Sequence, residues 1–142
     1  MITAILDTNV YVRAAIGSGR GASYRVIEVR EADKYRLVFS PDTIDELLQT
    51  LCVPHIRARH GWSDDEILNF VISFLADADI YPGRHPVAAS LTRDTTDVKL
   101  LSLAAESGAE YLVSNDRRHL LRLRHYQRTR IVTPAQFLRE LA

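Results

Sequence analysis

Four acids in this chain stand where a sequence could put them to work on a metal: Asp7, Glu46, Asp97 and Asp116. Asp7 ends the apolar run Ala4-Ile5-Leu6, and Thr8 and Asn9 follow it directly. Asp116 comes just after a second run, Tyr111-Leu112-Val113, behind Ser114 and Asn115. Short apolar runs that stop on polar residues read as buried parallel strands that deliver those residues to the rim of a sheet. Asp97 opens one helical pattern, and Glu46 lies in the first turns of another. In a βαβ layout both positions fall on that same rim. Carboxylates brought together repel, and their pKa values rise. A divalent cation removes the conflict. An all-oxygen set suits Mg²⁺ or Mn²⁺, with waters completing the shell. Thr8, Asn9, Ser114 and Asn115 are small hydrogen-bonding residues that would orient the carboxylates or hold a water on the metal. Helix capping competes as an explanation for Asp7 and Asp97 taken singly. Asp42 and Asp45 compete with Glu46, and Asp94 with Asp97, as a helix cap or as a supporting residue.

Lys plus Arg and Asp plus Glu each number 18, so net charge gives no hint of a nucleic-acid partner. The charge is local instead. Residues 117 to 130 carry Arg117, Arg118, Arg122, Arg124, Arg128 and Arg130, with His119 and His125 and no acid. The patch begins beside Asp116. Arg117, Arg118, His119, Arg122 and Arg124 are therefore the candidates for contacts to the phosphates of a nucleic acid. A solvated surface or an acidic partner is the competing use. Tyr126 could stack a base or pack in the core. The five histidines form no metal pattern, and Lys99 could pair with the acids or face solvent.

The elements that position these residues can be read from periodicity. Strands are expected at 2–6, 37–39, 80–81, 110–114 and 130–132. Helices are expected near 8–16, 22–31, 41–53, 64–75, 97–107 and 134–142. Ser40-Pro41-Asp42 starts a helix, and Ser63…Glu66 and Thr133…Gln136 match capping boxes. Gly17-Ser18-Gly19-Arg20-Gly21 lacks the Gly-Lys-Ser/Thr ending of a phosphate loop and reads as a connection between helices. Cys52, on the edge of an apolar stripe, is expected to be a buried, inert thiol. The wide apolar arc from Ile67 to Leu75 is expected either in the core or at a partner surface. Strand and helix alternate, so the expected fold class is α/β: a three-layer sandwich with a mostly parallel central sheet. One domain over residues 1–142 fits the length and the 46% hydrophobic content. A lone cysteine, with no signal peptide and no long apolar run, leads to the expectation of a cytoplasmic protein with no membrane contact.

In this order the motifs resemble the PIN-domain ribonucleases, above all the single-domain toxins of type II toxin–antitoxin systems. Leu6-Asp7-Thr8-Asn9-Val10 matches the opening motif, and Ser40 to Leu51 resembles the segment that supplies a glutamate, here Glu46. Arg93-Asp94-Thr95-Thr96-Asp97-Val98-Lys99-Leu100-Leu101 matches the third motif, and Tyr111 to Asp116 the fourth, with Ser114 in the usual Ser/Thr place. The further acid that many relatives carry after the fourth motif is replaced by Arg117-Arg118-His119. The resemblance implies a PIN-like fold and an Mg²⁺- or Mn²⁺-dependent endoribonuclease that leaves 5′-phosphate and 3′-hydroxyl ends. It also implies a small antitoxin partner. A homodimer is a further expectation. The alternatives are an RNA-processing PIN nuclease that is not a toxin, or a catalytically silent PIN module that binds RNA or protein. An aspartyl-phosphate phosphatase would need an acid where Asn9 stands.

Overall fold

The computed structural model describes residues 1–17 and 19–142. The glycine-rich connection expected at residues 17–21 includes Ser18, which lies outside the described residues. β1 (Thr3–Leu6) is followed by α1 (Thr8–Ile16) and α2 (Gly21–Glu31). β2 (Arg36–Phe39) leads into α3 (Pro41–Leu51), α4 (Pro54–His60) and α5 (Asp64–Leu75). The two-residue β3 (Asp79–Ile80) precedes an irregular stretch and then α6 (Thr95–Ser107). β4 (Tyr111–Val113), α7 (Leu120–Leu123), β5 (His125–Tyr126), β6 (Thr129–Val132) and α8 (Pro134–Leu141) complete the chain.

The six strands form one sheet in the order β3-β2-β1-β4-β6-β5. Its pairs are parallel apart from the β5–β6 hairpin. The fold is therefore α/β with a mostly parallel central sheet, as the alternation of elements predicts. Side chains alternate across the sheet and divide the core in two. Ala4, Leu6, Leu37, Phe39 and Val113 pack on one face with α1, α3 and α5. Ile5, Val38, Leu112 and Ile131 pack on the other against Leu100, Leu101 and Leu103 of α6. Chain order runs outward from β1 to β2 on one side and continues from β4 on the other. The switch point of the sheet therefore lies between β1 and β4, where a doubly wound sheet opens its ligand crevice.

Capping sets the helix starts. The Ser40, Ser63 and Thr133 side chains each accept the backbone N–H three residues on, and each belongs to a capping box. Gly83 has φ 74°, and a Cβ there would meet the Ser40 Cβ at 2.7 Å, so only glycine lets the chain pass over that cap.

Three details depart from the sequence reading. Pro54, just past the helix expected at 41–53, opens a further helix, α4, where its missing N–H costs nothing. β5 arises within the basic stretch, in a hairpin whose two-residue loop holds Gln127 at φ 50°. Cys52 is exposed, because it lies at the C-cap of α3, past the stripe that Leu47 and Leu51 bury. On α5, Ile67, Val71 and Phe74 are buried, whereas Leu68 and Ile72 are exposed. No helix among the described residues is long and apolar enough to cross a membrane.

Candidate active site

The carboxyl ends of β1 and β4 meet at the switch point, and there the sheet gives up its pairing to polar side chains. Asp7 and Ser114 extend the ladder by one residue each: Asp7 N donates to Val113 O at 2.8 Å and Ser114 N to Val132 O at 3.0 Å. Both side chains are then held inside the fold, Asp7 at 6% exposure and Ser114 at 0%. Ser114 Oγ donates to Asp7 Oδ2 at 2.7 Å, and Asn9 Nδ2 donates to the same oxygen at 3.1 Å. Asp7 occupies the N-cap position of α1, yet its side chain makes no capping bond. The bland explanation for this acid therefore fails on geometry.

Asp116 is tied to the same hydroxyl, since its backbone N–H donates to Ser114 Oγ at 3.0 Å. Its Oδ1 accepts the N–H groups of Arg118 and His119, at 3.1 and 3.2 Å, and Oδ2 lies 3.2 Å from His119 Nδ1. Asn9 Oδ1 accepts from Asn115 N at 3.2 Å and from Asn115 Nδ2 at 3.4 Å. Asn115 Nδ2 also reaches Ser23 Oγ, at 3.1 Å. The small residues expected to orient the acids thus bridge three elements. Ser23 is an addition that no local signal on α2 announces. Thr8 is half-buried at the start of α1.

At the start of α6 the two candidate acids divide the work. Asp94 is the cap, its Oδ1 accepting Thr96 N at 2.9 Å and Asp97 N at 3.2 Å. Among the described residues that leaves the buried Asp97 carboxylate with only the Thr92 hydroxyl, at 3.4 Å. Glu46 is differently placed. Thr96 Oγ1 donates to Oε1 at 2.7 Å and Lys99 Nζ to Oε2 at 2.9 Å, so this carboxylate joins α3 to α6.

The electrostatics follow the same division. Burial pushes the Asp7 pKa up to about 6, and the charges of Asp97 and Asp116 push the same way against the Ser114 hydrogen bond. Asp97 is also raised, first by burial and then by Asp94 and Asp116. Glu46 is held below its usual range by its bonds from Thr96 and Lys99. Asp7, Asp97 and Asp116 therefore form a mutually repelling trio, and Glu46 stands outside it with its charge already balanced. An all-oxygen trio under repulsion fits a hard divalent cation. Among the described residues, no three His, Cys, Asp or Glu side chains gather closely enough to grip an ion. The trio senses its members' charges without closing on one point.

Arginines line two hollows, and one of the site acids, Asp97, stands in the wall of the smaller. One, of about 410 Å³, has Asp97 in its wall with Arg93, Arg118, His119 and Arg122. The other, of about 1070 Å³, is walled by Arg117, Arg122, Arg124, Arg130 and Arg139. Arg139 belongs to α8 and has no basic neighbours in sequence to mark it. Tyr126 packs against the second core and not into either hollow.

The sequence pattern of the PIN domain family matches residues 3–118. Comparison with curated proteins finds no match. Among solved structures, the chain is similar to one from VapBC2 of Rickettsia felis bound to a DNA fragment from its promoter. The TM-score is 0.60 at 17% identity, over 93% of this chain and 98% of that one. At that identity the likeness concerns the fold. The family pattern runs from β1 through all four acids, and on it the chain belongs to the PIN domain family.

Proposed function

We propose that this protein is a divalent-metal-dependent endoribonuclease and the toxin of a toxin–antitoxin pair. One observation carries the proposal. Asp7 is a buried carboxylate at the switch point whose side chain makes no capping bond, with a pKa raised to about 6 first by burial and then by the nearby Asp97 and Asp116 charges. A fold does not keep such a repulsive set for stability. Membership of the PIN family and the likeness to the VapBC2 structure support the nuclease and toxin reading.

Asp7, Asp97 and Asp116 would hold Mg²⁺ or Mn²⁺, directly or through water. When bound, such an ion polarises a phosphodiester and lowers the pKa of an attacking water. Ser114 and Asn9 fix the Asp7 carboxylate through Oδ2. Thr92 steadies Asp97, and the Glu46–Lys99 pair sets the start of α6 and hence the place of Asp97. Arg118, His119 and Arg122 stand in the wall of the Asp97 hollow, where they would neutralise phosphate charge. The expected products carry 5′-phosphate and 3′-hydroxyl ends. A small antitoxin that silences the site in a cytoplasmic, single-domain protein completes the proposal.

The test is cleavage of RNA by the purified chain in Mg²⁺, with EDTA and Asp7→Asn as controls, together with growth on expression of each form. Full activity in EDTA or in Asp7→Asn would sink the mechanism. The second reading is a catalytically silent PIN module. It is favoured by the absence, among the described residues, of three acids drawn together closely enough to grip an ion. A protein whose melting temperature ignores Mg²⁺ and Mn²⁺ would support it.

A further inference from the structure

The arginines of residues 117 to 130 do not form one patch. α7 divides them: Arg118 and His119 face the Asp97 hollow, whereas Arg117, Arg124 and Arg130 face the larger one with Arg139. Arg122, on α7 itself, is in the wall of both. Arg128 is in neither wall. The larger hollow exceeds the roughly 300–1,000 Å³ that encloses a drug-sized ligand, and it has no phenylalanine, tyrosine or tryptophan in its wall. Among the described residues Arg117, Arg122, Arg124 and Arg139 make no ion pair. Arg130 reaches Glu140 only at 3.5 Å and lies over the Tyr111 ring. Arg124 is held at φ 63°, ψ −41°, outside the conformations that a long side chain favours.

We infer that the two hollows are one phosphate track that crosses α7 at Arg122. The scissile phosphate of an RNA strand lies by Asp97 and Asp116, and the phosphates to one side of it lie in the groove of Arg117, Arg124, Arg130 and Arg139. This rests on the nuclease reading and extends it to the length and mode of the substrate. Guanidinium groups repeated along a groove match a repeating phosphate chain. With His125 as its one aromatic ring, the groove grips chiefly the backbone and leaves most bases unread. A protein partner of similar footprint would be anchored by aromatic or apolar contacts at its centre; only Leu121, Ile131 and Val132 contribute apolar wall here. The grip is therefore independent of sequence and grows with RNA length until the groove is filled.

The test measures binding of fluorescent RNAs of about 6 and about 20 nucleotides in EDTA, over a range of salt, so that no cleavage intervenes. Arg124→Gln/Arg139→Gln is expected to weaken the longer RNA roughly tenfold or more. The plot of log K against log salt should become shallower by about 1.4, or about 0.7 per lost phosphate contact on a single strand. Arg124→Lys/Arg139→Lys should restore most of the slope, which a merely structural role would not predict. Arg139→Gln alone, at a solvent-exposed residue without an ion pair among those described, guards against misfolding of the double variant. A double variant that binds the longer RNA with wild-type affinity and slope overturns the track. Failure of the nuclease reading looks different: the wild type would bind RNA with the steep slope and yet cut nothing in Mg²⁺ or Mn²⁺.

Discussion

Ser114 donates its hydroxyl proton to Asp7 Oδ2 at 2.7 Å from the end of the neighbouring strand. Ser114 Oγ in turn accepts the Asp116 N–H at 3.0 Å, so one fully buried hydroxyl sets two of the three acids. Ser114→Ala removes a donor and an acceptor at once. The expected cost is about 1–3 kcal/mol of stability, with a larger fall in RNA cleavage. The Ser114 bond also lowers the Asp7 pKa, so its loss should move the pH midpoint of metal binding above about 6. Denaturant melts and metal titrations across pH check both effects; an unshifted midpoint would count against the arrangement.

Asp7→Asn should stabilise the protein when no metal is present. The folded-state pKa of Asp7 is raised to about 6. Its contribution to stability is therefore fully present below the unfolded value and is lost as pH rises through about 6. At neutral pH the buried charge costs on the order of 3 kcal/mol, and the neutral amide escapes that cost. Thermal melts in EDTA should show Asp7→Asn above the wild type by several degrees. In Mg²⁺ or Mn²⁺ the wild type should gain stability and the variant should gain none.

Metal affinity itself should rise with pH. Asp7 must be ionised to serve a cation, and it ionises near 6. Calorimetric titration with Mn²⁺ from about pH 5 to 8 should show proton release below about 6.5 and little above it. A flat profile would mean that Asp7 does not serve the ion.

Glu46 should behave unlike the trio. Its pKa is lowered by Thr96 and Lys99, so its stabilising effect is present above the unfolded value and is lost as pH falls through the folded one. The Lys99 pair is partly exposed, at 33% and 24%, so a double-mutant cycle of Glu46→Gln with Lys99→Met should return only about 0.5–1 kcal/mol. Cleavage should fall less in Glu46→Gln than in Asp7→Asn. An equal loss would return Glu46 to the metal.

These contrasts also mark how far the chain could be read from its residues. Asp7 and Asp116 are legible because each closely follows an apolar run, and a parallel sheet exposes such ends on one edge. The capping boxes at Ser63 and Thr133 are legible because their partners lie three residues away. The partners of Glu46 lie 50 and 53 residues off, so its neutralisation depends on how α3 and α6 pack. Arg139 enters the groove only because α8 folds beside β6, and no local charge pattern marks it. β5 escapes notice because Gln127 holds a positive φ that a turn would ordinarily assign to glycine or asparagine.

Both oxygens of Asp116 are already employed: Oδ1 anchors the Arg118 and His119 amides, and Oδ2 faces the His119 ring. A carboxylate oxygen has two lone pairs, so Oδ1 is full and Oδ2 has one to spare. A cation arriving at Asp116 must share Oδ2 with His119 or take it. Charge compensation at the acids and the set of the arginine-bearing turn are thus coupled through a single atom, and neither can change without the other registering it.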